Sequence, residues 1–113
     1  FNVTIDNTYP NLVTIEDGVS LAGNNLILAH SKPLEYHKDI FKSYVAPVVI
    51  KKNAWVTVGV IVLAGVTVGE GSIITANSVV TKNIPPNCLA AGNPAKVIKK
   101  LDAGDEREVG ITE

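Results

Sequence analysis

Between Ile50 and Val80 a β-branched aliphatic residue returns at every sixth position: Ile50, Val56, Val62, Val68, Ile74 and Val80. Four places after each of the first five stand Ala54, Val60, Val66, Ser72 and Ser78. A helix needs apolar spacing near ~3.6 and a flat strand needs alternation at ~2, so this phase satisfies neither. It predicts a solenoid. If each hexapeptide is a short strand plus a corner, three of them close a three-sided turn of 18 residues, which stacks Ile50 under Val68, Val56 under Ile74 and Val62 under Val80. The aliphatics then fill the interior as ladders, and the small residues let the chain turn without overfilling it. Gly59, Gly65, Gly71 and Asn77 recur in the same phase, at positions suited to left-handed backbone.

The phase extends backwards to Ile15, Leu21 and Ile27, with Val13, Val19 and Asn25 at the small inward position. Asn25 breaks the pattern, because a buried amide there needs hydrogen-bond partners. From His30 to about Ala46 the period fails in the stretch SKPLEYHKDIFKSY, which predicts a loop inserted at a corner over about 30–47. Val3, Thr4 and Ile5 read as a strand and Asn7 to Asn11 as a turn. The opening FNVTID has the character of mid-coil, so a preceding N-terminal part is expected.

After Lys82 the repeat closes at Ile84-Pro85-Pro86, since proline cannot donate to another ladder. A short strand is predicted around Leu89 to Ala91. Gly92, Asn93 and Pro94 then predict a turn into a helix from about Pro94 to Leu101, capped by Asn93 and presenting Val97, Ile98 and Leu101 on one face. The tail from Asp102 is polar and expected to be mobile. The fold class predicted is therefore all-β, a parallel β-helix over 1–84 with one excursion. A closing strand, a short C-terminal α-helix and the tail complete the same domain over 85–113.

The chain has 46% hydrophobic and 19% charged residues, which excludes disorder as its general state. A formal net charge of -1 gives no overall attraction to nucleic acid or to an anionic membrane, so any anion site must be local. The single cysteine, Cys88, excludes an intramolecular disulfide and fits a reducing, cytoplasmic setting; it is read as core. The uncharged run from Ala54 to Gly69 is shorter than the ~20 residues of a membrane helix and keeps the repeat phase. No phosphate-binding GxxxxGK[ST] loop and no GxGxxG fingerprint occurs.

The hexapeptides together with the ILAH opening of the loop and the ending TKNIPPNCLAAGNPAKVIKK resemble the hexapeptide-repeat acyltransferases, in particular the maltose and galactoside O-acetyltransferase branch. The resemblance implies a left-handed β-helix, a hand that general crossover rules would not have suggested. It also implies a homotrimer with the active site between subunits, acetyl-CoA as the acyl donor, a small acceptor such as a sugar, and no metal. A carbonic anhydrase of the same fold needs three histidine ligands, and this chain has only His30 and His37.

By position His30 matches the family's catalytic base, and the chemistry suits an imidazole, which at neutral pH can take a proton from an attacking hydroxyl. His37 has no such match. The family often places Pro directly after this histidine, whereas Ser31 and Lys32 intervene here before Pro33, a departure that bears on the acceptor. Trp55, Val58 and Ala76 match positions lining the pantetheine groove, and Thr81, Lys82, Lys96 and Lys99 match contacts to the nucleotide end of the donor, where lysines would meet phosphate as point charges. Two other readings stay open: N-acetylation of an amino sugar or amino nucleotide sugar, and a non-catalytic β-helix that serves assembly, in which Trp55 is an interface residue and the lysines a solvated face.

Overall fold

The computed structural model describes residues 2–102, so all but the first residue of the polar tail lies outside the described residues. The chain winds through three parallel sheets in turn. One carries β1 (Thr4–Ile5), β4 (Leu26–Ile27), β9 (Ile61–Val62) and β12 (Val79–Val80). The second carries β2 (Val13–Ile15), β7 (Val48–Ile50) and β10 (Thr67–Val68). The third stacks β3 (Ser20–Leu21), β8 (Trp55–Val56) and β11 (Ile73–Ile74) beneath β13 (Cys88–Gly92) and β14 (Ala95–Lys100). The inserted loop adds a small antiparallel pair, β5 (His30–Ser31) with β6 (Tyr44–Val45).

The ladders run as the period requires. Val68 pairs with Ile50, Ile74 with Val56 and Val80 with Val62, each 18 residues apart. All six aliphatics of the ladder are fully buried, as are Ala54, Val60, Val66, Ser72 and Ser78. Burying each Val or Ile side chain stabilises the fold by roughly 1.5–3 kcal/mol, and because every coil buries its core against the next, no single centre is needed. Ile15 pairs with Ile50, 35 positions on, so the loop inserts 17 residues into one coil and leaves the register above and below it intact. Thr4 pairs with Leu26, 22 positions on, so the first described coil is four residues longer than the standard one. The surplus falls in the Asn7–Asn11 region, where Pro10–Leu12 forms a 3-10 turn.

Asn25 is buried and fully engaged. Its Nδ2 donates to the carbonyls of Thr57 (2.9 Å) and Val60 (3.4 Å), and its Oδ1 accepts from the Gly23 amide (2.9 Å), so the amide ties its own corner to the next. Left-handed residues form columns at two corners, Gly18, Asn53, Gly71 and Asn87 in one and Asn24, Gly59 and Asn77 in the other. Asn53, Asn77 and Asn87 each fold over a glycine of the adjoining coil: a Cβ on Gly59 would lie 2.1 Å from Asn77 Oδ1, and one on Gly18 2.2 Å from Asn53 Oδ1.

The predicted C-terminal helix is corrected by the structure. Ala95–Lys100 is a strand, antiparallel to β13 and joined to it through Gly92 and a cis Asn93–Pro94 peptide. Two physical reasons favour the strand. Neighbouring Val97 and Ile98 are β-branched and fit a pleated surface better than a helix. The edge of β13 also offers unpaired backbone groups, which six residues in extended form can satisfy more completely than a helix of about two turns. The prolines close the coil as expected: Ile84 bridges Val68, and the Pro85 carbonyl accepts from Ser72 Oγ at 2.5 Å. Cys88 is buried. Among the described residues no helix is long and apolar enough to cross a membrane.

Candidate active site

His30 stands at the first residue of the loop, immediately after the buried Ala29, so the last rigid coil fixes its backbone. Its Nδ1 lies 2.5 Å from Oδ2 of Asp6, a residue that sequence reasoning did not single out. The Asp6 side chain is wholly buried while that of His30 is 29% exposed. Asp6 is held on all sides: Oδ1 accepts from the amides of Thr8 (2.8 Å) and Tyr9 (2.7 Å), and Oδ2 accepts from the amide of Ala29 (2.8 Å) as well as the ring. Burial alone would raise the carboxyl, but the amides of Tyr9 and Ala29, the His30 ring and the Thr8 amide outweigh it and hold Asp6 well below the usual carboxylate range. An ionised carboxylate only accepts hydrogen bonds, so Nδ1 must carry the proton, and in the neutral ring Nε2 then keeps its lone pair. The extended first coil makes this possible, because its extra residues curl back to present two amides to one carboxylate oxygen.

Two clefts meet at His30. One, of about 290 Å³, is lined by Thr8, Tyr9, Lys32, Ser43 and Val45 together with His30 and Ser31. The other, of about 310 Å³, is lined by Leu28, Tyr44, Leu63, Ala64 and Thr81, again with His30 and Ser31. The first is the more hydroxylated. The second runs along the coils and has an apolar wall. Tyr9 also meets the imidazole edge to face, with ring centroids 5.5 Å apart.

Of the residues matched to the donor, Thr81 shares a cleft with His30 and exposed Lys82 follows it in the chain. The others are elsewhere. Trp55, 41% exposed, is on the third sheet; Val58 and Ala76 are exposed at the next corner, where the Asn77 amide donates to the Val58 carbonyl at 2.9 Å. Lys96 and Lys99 lie on β14, opposite Ala91 and Leu89. Within one chain these residues do not reach the His30 clefts. His37 lines a separate cleft with Phe41 and Lys42.

No protein-family model matches the chain. The galactoside O-acetyltransferase of Escherichia coli is 39% identical over 109 residues, which are 94% of this chain and 52% of that protein. A solved galactoside acetyltransferase in complex with coenzyme A superposes with a TM-score of 0.83 at 38% identity, over 96% of this chain and 54% of the other. A hexapeptide-repeat acetyltransferase from Vibrio cholerae O1 biovar eltor, complexed with acetyl coenzyme A, gives a TM-score of 0.78 at 31% identity, over 89% and 55%. The chain spans about half the length of the curated relatives it matches. By sequence and by fold, the chain is thus a relative of the hexapeptide-repeat acetyltransferases, galactoside O-acetyltransferase among them.

Proposed function

We propose that this chain is an acetyl-CoA-dependent O-acetyltransferase acting on a hydroxyl of a sugar or similar small acceptor. The observation that carries this reading is one imidazole, its Nδ1 held by a buried carboxylate, shared by two clefts. Such an arrangement suits direct transfer. Nε2 takes the proton of the acceptor hydroxyl as its oxygen attacks the thioester carbonyl; the C–S bond then breaks, and the thiolate leaves and is protonated. The cleft walled by Leu28, Leu63 and Ala64 suits the pantetheine arm, and the hydroxylated cleft suits the acceptor. Relatives whose names specify galactoside O-acetylation, or that bind coenzyme A, support the same chemistry. The test is thiol release from acetyl-CoA across a panel of sugars, amines and nucleotide sugars. Release with hydroxyl acceptors is the expected result, and release with amino acceptors alone would transfer the reading to N-acetylation.

We take the coil to be left-handed and the assembly to be a cyclic homotrimer, with a neighbour's Trp55 face closing the groove beside His30. Two observations support the trimer. Trp55, Val58, Val97 and Ile98 are large apolar side chains left exposed on one chain, and the donor residues are divided between distant corners. Native mass spectrometry at micromolar concentration is expected to give three copies; a persistent monomer would defeat the assignment.

Lys82 and Lys96 are assigned to the phosphates of the donor, with Thr81 beside the pantetheine and Lys99 at the outer end. Both assigned lysines are exposed, so their contribution is discounted for solvent. Lys82→Ala is expected to weaken acetyl-CoA binding about three- to tenfold at low salt, with a smaller loss at high salt where screening has already weakened the parent. Calorimetric titration showing equal affinity at low salt would put the nucleotide elsewhere.

A further inference from the structure

The two residues that separate His30 from Pro33 are not idle spacers. Ser31 lines both clefts and Lys32 lines the hydroxylated one, so the departure from the family's usual His-Pro pairing falls on the surface where an acceptor would lie. Resting on the acetyl-transfer reading above, we infer that the acceptor is an anionic sugar, one carrying a carboxylate or a phosphate, whose charge Lys32 meets while its ring lies along Tyr9.

The charges around the cleft leave little else for Lys32 to do. Among the residues that line it there is no acidic side chain. Asp6 lies behind His30, but both its oxygens are already engaged, by three amides and the imidazole, and its side chain is wholly buried. Glu35, a few residues further along the loop, is paired with Lys38 at 2.5 Å. Lys32 is exposed and forms no ion pair among the described residues, so its charge is available to a ligand at no cost in broken contacts.

The remaining lining fits a sugar ring. Tyr9, 36% exposed, is pinned edge to face against His30 and offers an apolar surface next to the base. Thr8 and Ser43 add hydroxyls that can both donate to and accept from ring hydroxyls. A ring placed against Tyr9 would put one hydroxyl at the imidazole and leave its acidic substituent for the lysine. Carboxylate and phosphate share the chemistry that Lys32 recognises; the assay separates them.

The experiment is thiol release from acetyl-CoA by the full chain with matched acceptors: glucose, glucuronate and glucose 6-phosphate, then galactose and galacturonate, each at low and high ionic strength. The charged member of each set is expected to show kcat/KM about tenfold above its neutral partner at low salt, the advantage shrinking as salt rises. Lys32→Gln should bring charged and neutral members within about twofold of each other, and Lys32→Arg should restore most of the difference. Equal use of charged and neutral acceptors by the parent, or a preference that survives Lys32→Gln, overturns the inference while acetyl transfer stands. If no hydroxyl acceptor releases thiol, acetyl transfer to sugars itself fails and this inference falls with it. A preference for phosphate over carboxylate, or the reverse, that Lys32→Gln abolishes supports the inference and names the anion.

Discussion

His30→Ala is expected to lower kcat for acetyl transfer by about 10²- to 10⁴-fold, the range over which general-base assistance operates. Affinity for acetyl-CoA should hardly move, because the proton transfer matters in the transition state and not in the ground state. The fold should survive as well, since Asp6 keeps its three amide donors when the ring is removed, and the ladders do not involve residue 30. Steady-state kinetics with a confirmed acceptor, with donor binding measured separately, gives the split between kcat and affinity. Turnover at the parental rate would end the assignment of His30 as base and with it most of the case for chemistry at the head of the loop.

Asp6→Asn should have two effects, one on rate and one on stability. In the proposed reaction Asp6 is a positioning residue that works through His30: its carboxylate requires a proton on Nδ1, and an amide does not. Loss of that preference should reduce kcat by about 10²-fold, within the span known for general-base effects. Because a merely structural role could also lower rate, the decisive readout is the ring itself. Nitrogen chemical shifts of His30 should report one tautomer in the parent and a mixture in the variant, with His37 as the internal control. An unchanged His30 tautomer in Asp6→Asn would remove the positioning role.

The stability effect has a definite sign. The folded-state pKa of Asp6 is depressed, so the stabilisation from its ionised form is present above the unfolded value of ~3.9 and is lost as pH falls below it. Thermal midpoints of parent and Asp6→Asn should therefore differ most near neutral pH and converge under acid conditions. A gap that grows on acidification would contradict the hydrogen-bonded, ionised carboxylate described above.

How much of this was readable in the sequence depends on whether a residue's partners were implied by the repeat. Ile50, Val56 and Val62 declare their neighbours because the period itself fixes which residue lies above each. His30 was readable as the point where that period stops. Asp6 was not, because its partners are set by how a four-residue surplus curls in the first coil and by Ala29 and His30, more than twenty positions away. The only hint was a carboxylate placed just after Val3-Thr4-Ile5 and just before a turn, where its oxygen could collect amides. The segment from Pro94 was misread for a different reason: a capping asparagine, a first-turn proline and lysines among apolar residues suit a helix and an edge strand equally, and β13 supplied the deciding hydrogen bonds. Trp55, Val58 and Ala76 lie on the stacked coils, yet the phase of the repeat does not say what their exposed side chains face.

The two corner columns impose a parity on the chain. From Gly18 to Asn87 in one column and from Asn24 to Asn77 in the other, asparagine and glycine alternate, since the amide of one coil occupies the space that a side chain on the adjoining coil would need; the alternation stops at the lengthened first coil, where left-handed Asn2 lies in register with Asn24. Deleting or duplicating a single 18-residue coil would bring asparagine onto asparagine in at least one column, where two amides contend for one place, or glycine onto glycine, where the corner has no amide at all. Gaining or losing two coils preserves the alternation. A solenoid of this kind can thus change its length most easily in pairs of turns, although its aliphatic ladders from Ile50 to Val80 would accept any number.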